Sequence, residues 1–207
     1  MLRILFLVAS SFALAAAIQF TDCATNTSNT VLTVHELDLS PSPIKFPGEV
    51  HATINLTVNQ QITELYLDTV LEKNTLGIWT KVPCVANIGT CTDIDSCTIL
   101  DRILNGSSII SQDLGQQIDA ILLSALGHNA QCPINPENVF IDNETLKLQK
   151  MPTALSFLTK GTYRVRISVK EDPKQTDNVG CIEFMAELDI GQETTTAAPT
   201  VPIPGVG

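Results

Sequence analysis

Hydrophobic and polar residues alternate along four stretches of the chain. Every second residue is apolar in Val50–Val58, and the same period of two runs through Thr162–Lys170 and Ile182–Ile190. A shorter face of this kind lies in Leu65–Leu71. Because successive side chains of a strand point to opposite faces of a sheet, this period predicts half-buried β-strands.

Turn residues between these stretches favour a fold dominated by β-strands. Pro41-Ser42-Pro43 and Pro47-Gly48 mark a turn between the first two strands. Many short strands separated by turns, without the regular alternation of strands and helices, predict an antiparallel β-sandwich or cup.

A segment in the middle of the chain has a helical period instead. Its apolar residues recur three and four positions apart: Leu114, Ile118, Ile121, Leu122, Ala125 and Leu126. This spacing predicts one amphipathic helix of about four turns that ends near Gly127. A contact with the protein core is the favoured role of its apolar stripe, and a membrane-binding face is the alternative.

The two ends of the chain differ from its middle. Residues 1–17 carry one cation, Arg3, and then an uncharged apolar run that closes on three alanines. This pattern predicts a secretory signal peptide cleaved before Ile18, with an N-terminal core helix as the alternative. Residues 192–207 are rich in Thr and Pro, which predicts a disordered tail. The predicted domain therefore covers residues 18–191.

Charge and missing motifs argue against two function classes. The formal net charge is −10, and it becomes −11 without Arg3. Such a chain would be repelled by phosphates, which argues against nucleic-acid binding. The sequence has no G-x-S-x-G, H-E-x-x-H or Walker motif, so no catalytic residues and no cofactor are expected. Asp93 and Asp95 are the strongest paired carboxylates, but we expect both to be solvated in a loop.

Export determines how the six cysteines are interpreted. An even number of cysteines in an oxidising compartment predicts disulfides, and the sequence alone leaves their pairing open. The chain has no C-x-x-C pair, and its histidines share no ligand spacing with the cysteines, so no metal site is expected. Sequons for N-glycosylation agree with export and begin at Asn26, Asn55, Asn105 and Asn143.

Residues 70–100 combine the single tryptophan with three of the cysteines. The apolar tip Leu76-Gly77-Ile78-Trp79 directly precedes Cys84, Cys91 and Cys97. The segments V-L-E-K, G-I-W-T-K-V-P-C, I-G-T-C and C-T-I-L-D closely resemble the ganglioside GM2 activator family, where GM2 names a lipid. Matching blocks follow in order at Gln131-Cys132-Pro133, Leu155–Val165 and Gly180-Cys181-Ile182.

This resemblance implies a cup of antiparallel strands around a large apolar cavity, within the ML-type lipid-recognition superfamily. Carried over by position, it implies the disulfides Cys23–Cys181, Cys84–Cys91 and Cys97–Cys132. The family has a fourth disulfide within the interval between the positions of Cys97 and Cys132, and this chain lacks that pair of cysteines. The longer interval here carries the predicted helix instead.

The resemblance also implies the parts of a lipid site. The inward strand positions that we expect to line the cavity are Val50, Ile54, Leu56, Leu67, Leu71, Tyr163, Val165, Ile167, Phe184 and Leu188. The expected membrane-contacting rim consists of Leu76, Ile78, Trp79, Phe157 and Leu158. The alternative for Trp79 is an ordinary core position, and the strand residues suit a filled core equally well.

The function implied is that of a non-catalytic carrier in the secretory pathway, lysosomal or extracellular. It would extract a glycosphingolipid or phospholipid from a membrane and present it to a glycosidase as an activator. The alternative is an extracellular protein that presents a lipid to a receptor. Both functions predict a lipid ligand and transient contact with a membrane surface.

Overall fold

The computed structural model describes residues 18–25, 27–106 and 112–191. The predicted signal peptide and the predicted Thr/Pro tail lie outside the described residues. The described strands are β1 (Phe20–Asp22), β2 (Leu32–Ser40), β3 (Ile44–Phe46), β4 (Gly48–Val58), β5 (Tyr66–Thr75), β6 (Ile78–Lys81), β7 (Cys91–Asp95), β8 (Glu137–Leu148), β9 (Gly161–Lys170) and β10 (Gly180–Ile190). The helices are α1 (Ser96–Leu104) and α2 (Gln112–Leu126), with single 3-10 turns at Thr27–Asn29 and Thr153–Leu155.

Two sheets of unequal width make up the fold. The wide sheet has the order β1-β10-β9-β5-β6, with β3 pairing with β10 and β7 pairing with β5. The narrow sheet has the order β2-β4-β8. Every pair is antiparallel except β3 with β10. The predicted antiparallel, β-dominated fold is confirmed.

The alternating stretches of the sequence form strands, namely β4, β5, β9 and β10. Tyr163, at 1% exposure, and Val169 are buried on the inner face of β9. Val50, Ala52 and Val58 are buried on β4, and polar residues lie between them. The inner faces of the two sheets therefore supply the core.

The predicted helix is present as α2, but the interval holds a second helix that the sequence analysis missed. The N-cap of helix α1 is Asp95, whose carboxylate accepts from the backbone N–H of Thr98 at 3.1 Å. This N-cap satisfies one of the unpaired N–H groups of the first turn. Within the described ranges, neither helix is long and apolar enough to cross a membrane.

Helix α2 packs along β8, the edge strand of the narrow sheet. The Gln117 side chain accepts from the backbone N–H of Lys147 at 2.7 Å and donates to its carbonyl at 3.2 Å. One amide thus satisfies both backbone groups of an edge residue, which would otherwise be open to pairing with another chain.

Three disulfides are present, and they are the three pairs that the resemblance implies. Cys23–Cys181 joins the segment after β1 to β10, and Cys84–Cys91 closes the loop before β7. Cys97–Cys132 joins the first turn of α1 to the segment after α2. This disulfide therefore ties the start of α1 to the segment that follows α2.

Candidate functional site

A cavity of about 370 Å³ lies where the helices meet the two sheets. Its walls are mainly apolar. The strands and the loops beside them contribute Leu32, Leu56, Val58, Ile62, Leu65, Leu67, Ile134 and Val139, and the helices contribute Ile99, Leu100, Ile103, Leu122 and Leu126. The volume falls within the range of about 300–1,000 Å³ that is usual for small-molecule sites.

Two smaller apolar cavities lie at other points between the layers. One of about 180 Å³ shares Leu32, Leu56 and Leu67 with the large cavity, so the two are adjacent. The other, which we call the small cavity, has a volume of about 220 Å³ and has Leu114 and Leu188 among its lining residues. Because Leu188 pairs with Gly161 at the start of β9, this third cavity lies at the opposite end of the wide sheet.

Helix α2 connects the two ends of the molecule. Leu114 in its first turn lines the small cavity, whereas Leu122 and Leu126 line the large one. Ile118 and Ile121, which lie between them on the same stripe, are half-buried. The apolar stripe therefore follows the interior from one cavity to the other.

The structure places the ten predicted cavity residues in three groups. Leu56, Leu67, Ile167 and Leu188 line the three apolar cavities. Val50 and Tyr163 are buried, and the half-buried residues are Ile54, Leu71, Val165 and Phe184.

Sequence reasoning missed the helical part of the lining. The signal for α2 was present, because its apolar stripe was recognised but assigned to the core in general. The signal for α1 was the pair Ile99 and Ile103, which are four residues apart and face the large cavity.

The predicted rim residues fall in different environments. Leu76 and Ile78 are 98% and 68% exposed at the turn between β5 and β6. Trp79 is half-buried on the outer face, where the Arg164 guanidinium lies 4.7 Å from its ring centroid. Phe157 and Leu158 are half-buried, and Leu158 lines the small cavity. Leu76 and Ile78 are thus the apolar groups that this turn exposes to solvent.

This apolar tip lies at the same end of the wide sheet as the small cavity, because Lys73 near the end of β5 pairs with Tyr163 and Leu188 pairs with Gly161. Leu67 lines the large cavity near the start of β5, and Leu76 follows the end of the same strand. Nine residues of strand span roughly 30 Å at about 3.3 Å each.

One ion pair lies at the wall of the large cavity. His128 Nε2 is 3.0 Å from Glu137 Oε2, and the His128 side chain is 54% exposed whereas that of Glu137 is 19% exposed. Hydrogen bonding with the Asn129 carbonyl, and then with Glu137, raises the pKa of His128. The pair is therefore a polar group in the wall of a mainly apolar cavity.

The two aspartates considered as catalytic candidates have structural partners, and the expectation that both lie in a loop was wrong. Asp93 is in β7 and accepts from Lys170 Nζ at 3.0 Å, and Asp68 accepts from the same nitrogen at 2.9 Å. Hydrogen bonding to Asp68 and Asp93 raises the pKa of Lys170. Asp95 caps α1, and hydrogen bonds from Thr98 lower the pKa of Asp95.

The predicted glycosylation sites stay predictions. Asn55 is half-buried on β4, whereas Asn105 and Asn143 are exposed. Asn143 lies within β8 with a left-handed φ of 49°. Asn26 is outside the described residues.

Comparisons with known proteins assign the chain to a family. The family model of the ML domain matches residues 17–188. The chain is 27% identical over 156 residues to a ganglioside GM2 activator from Macaca fascicularis, with 75% of each chain covered. It is 24% identical over 163 residues to the ganglioside GM2 activator of Mus musculus, with 75% of this chain and 74% of the relative covered.

A solved structure is also similar to this chain, namely the Niemann-Pick type C2 protein from the Japanese carpenter ant. The match has a TM-score of 0.38 and 12% identity, and it covers 83% of this chain and 99% of that one. Since the ML-domain model spans most of the chain, the protein belongs to the ML-domain family, whose members bind lipids.

Proposed function

We propose that this protein carries a lipid by enclosing its apolar part between the two sheets and the helices. The observation that supports this most directly is the apolar cavity of about 370 Å³. Each CH₂ group exposed to water costs about 0.8 kcal/mol, so a chain of ~16 carbons loses roughly 13 kcal/mol on leaving a bilayer. A carrier that offers an equally apolar interior removes most of that barrier.

The carrier would contact the membrane through its exposed apolar tip. Contact of the exposed Leu76 and Ile78 side chains with water is unfavourable, so burial of either side chain in the bilayer interface is favourable. The cavity at the same end of the wide sheet, with Leu158 and Leu188 in its walls, would receive the chain first. The stripe on α2 then offers an apolar path toward the large cavity.

The finer proposal is that the carrier presents a glycosphingolipid to a soluble glycosidase. It is supported by the similarity to two ganglioside GM2 activators. Three disulfides and the signal-peptide pattern support action in the secretory pathway, in the lysosome or outside the cell. Presentation to a receptor is the competing outcome, and pull-downs against glycosidases and against receptor ectodomains separate the two.

Transfer of a fluorescent glycolipid between vesicles tests the carrier function. We expect Leu122→Trp to slow transfer strongly, because the larger ring occupies the large cavity. The matched control is Leu123→Trp, since Leu123 is the neighbouring residue on α2 and is exposed. Equal transfer by Leu122→Trp and the wild type would exclude the large cavity from the transfer step.

The activator role needs a separate assay. Purified protein is added to a lysosomal glycosidase and to ganglioside-containing vesicles, and the released sugar is measured. An increase that Leu122→Trp abolishes and Leu123→Trp retains supports presentation from the cavity. Lipid transfer without any increase leaves the carrier function intact and rejects the activator role.

A further inference from the structure

Glu137 occupies a strand position where the fold calls for an apolar residue. It is the first residue of β8 and pairs with Val58, whose side chain is buried in the core. Val139 and Ile141 follow at the same period and are also buried, whereas Phe140 between them is exposed. Because directly opposed residues share a face of a sheet, the Glu137 carboxylate points into the interior.

Only one of the two carboxylate oxygens of Glu137 is paired. Oε2 lies 3.0 Å from His128 Nε2, but Oε1 is buried and has no hydrogen-bond partner among the described residues. An unsatisfied buried acceptor lowers stability, and such a group in a native fold calls for a reason. Glu137 is also one of the residues that line the large cavity.

We infer that Glu137 Oε1 is the polar anchor of the large cavity for an amphiphile whose polar end donates hydrogen bonds, namely a long-chain alcohol or a long-chain amine. The apolar body of this ligand would lie against Leu122, Leu126 and Val139. The inference rests on the proposed carrier function, because it names the chemistry of the ligand.

The position of His128 determines the orientation of this ligand in the large cavity. The imidazole is half-exposed and next to the carboxylate, so the carboxylate lies near the opening of the cavity. A donor at Oε1 therefore remains close to solvent, and the chain extends inward along α2. An ether or ester at the same point would bring acceptor against acceptor, which the site disfavours.

Three probes that differ only at the polar end test the anchor: dodecanol, dodecylamine and dodecyl methyl ether. Binding to the full chain is measured by isothermal titration calorimetry. A hydrogen bond to a charged group is worth about a tenfold difference in affinity or more, so the alcohol and the amine should each bind at least about tenfold more tightly than the ether.

Variants then assign this preference to the carboxylate. Glu137→Leu removes the anchor and should bring the three affinities together, whereas Phe140→Leu, an outward-facing change on the same strand, should keep the preference. Glu137→Gln keeps the shape of the side chain but removes its charge, and it replaces Glu137→Leu in this test if that variant does not fold. Its affinity for the amine should fall about tenfold relative to the wild type.

Two results would overturn the inference. One is equal affinity of the wild type for the alcohol and the ether, and the other is a preference that survives in both Glu137 variants. Either result leaves the carrier function standing if vesicle transfer still depends on Leu122. Absence of binding by all three probes also rejects the anchor, and the transfer assay then decides separately on the carrier function.

Discussion

The exposed apolar tip should govern how tightly the protein contacts a membrane. We expect the double variant Leu76→Ser/Ile78→Ser to bind vesicles more weakly and to transfer lipid more slowly than the wild type. Stability should change little, because the two side chains are 98% and 68% exposed and contribute little to the folded core. The effect therefore reports on the membrane step.

The size of the effect follows from the area that these side chains can bury. Complete burial of a Leu or Ile side chain is worth about 1.5–3 kcal/mol. If the interface recovers about half of the lower value for each residue, the pair contributes about 1.5 kcal/mol. That corresponds to roughly tenfold weaker partitioning for the double variant.

The chain offers matched controls for this experiment. Phe140→Ser and Met185→Ser remove large exposed apolar side chains elsewhere on the surface, at 54% and 58% exposure. Co-sedimentation with neutral phosphatidylcholine vesicles is measured for all variants, followed by glycolipid transfer. If either control loses as much partitioning as the tip variant, general surface hydrophobicity explains the binding and the reasoning about the tip is wrong.

Three further predictions concern ion pairs and caps. The pKa of His128 is raised above the ordinary histidine value of 6.5, so protonated His128 stabilises the fold. This stabilisation is fully present below pH 6.5 and is lost as the pH rises through the raised pKa. We therefore expect His128→Ala to lower Tm more at pH 5 than at pH 8. An equal loss at both values would contradict the pairing with the carboxylate. Asp95→Ala should cost about 1 kcal/mol at pH 7 in urea denaturation. Because the folded-state pKa of Asp95 is lowered, this difference should shrink below about pH 3.8, and a constant difference would exclude the ionised cap. Lys170→Met leaves Asp68 and Asp93 without their shared cation and should cost about 2 kcal/mol in the same assay, whereas an unchanged urea midpoint would show that the network contributes nothing.

Strands β4, β5, β9 and β10 were predictable because their signal is local. The period of two in Val50–Val58 and Thr162–Lys170 depends only on neighbouring residues, and each stretch forms the strand it predicts. Helix α2 was predictable for the same reason. Helix α1 was missed because its nine residues directly follow a strand and its N-cap, Asp95, was considered only as a possible acid.

The environment of Trp79 could not be predicted from its neighbours in the sequence. The position of the tip Leu76-Gly77-Ile78-Trp79 after a strand suggests that all its side chains are exposed to solvent. The strand register, however, decides which face of the sheet each side chain occupies. Trp79 pairs with Asn74 on the outer face and packs against Arg164, which is 85 residues later in the chain. Only the pairing of β5 with both β6 and β9 brings these two side chains together.

The location of the large cavity follows from a mismatch in the width of the two sheets. The main path of the wide sheet has five strands and spans about 19 Å across, whereas the narrow sheet has three strands and spans about 10 Å. Three strands leave part of the wider inner face uncovered. The difference of about 9 Å matches the diameter of one helix, about 10 Å, so a layer one helix wide can complete the missing wall.

Helices α1 and α2 take that place, and the Cys97–Cys132 disulfide joins their base. The junction between these helices and the sheets contains space lined by Ile99, Ile103, Leu122 and Leu126. The segment between the two cysteines is therefore half of the cavity wall. It follows that substitutions on the inner faces of α1 and α2 should change which lipid is bound, whereas equivalent substitutions on the outer face of the wide sheet should not.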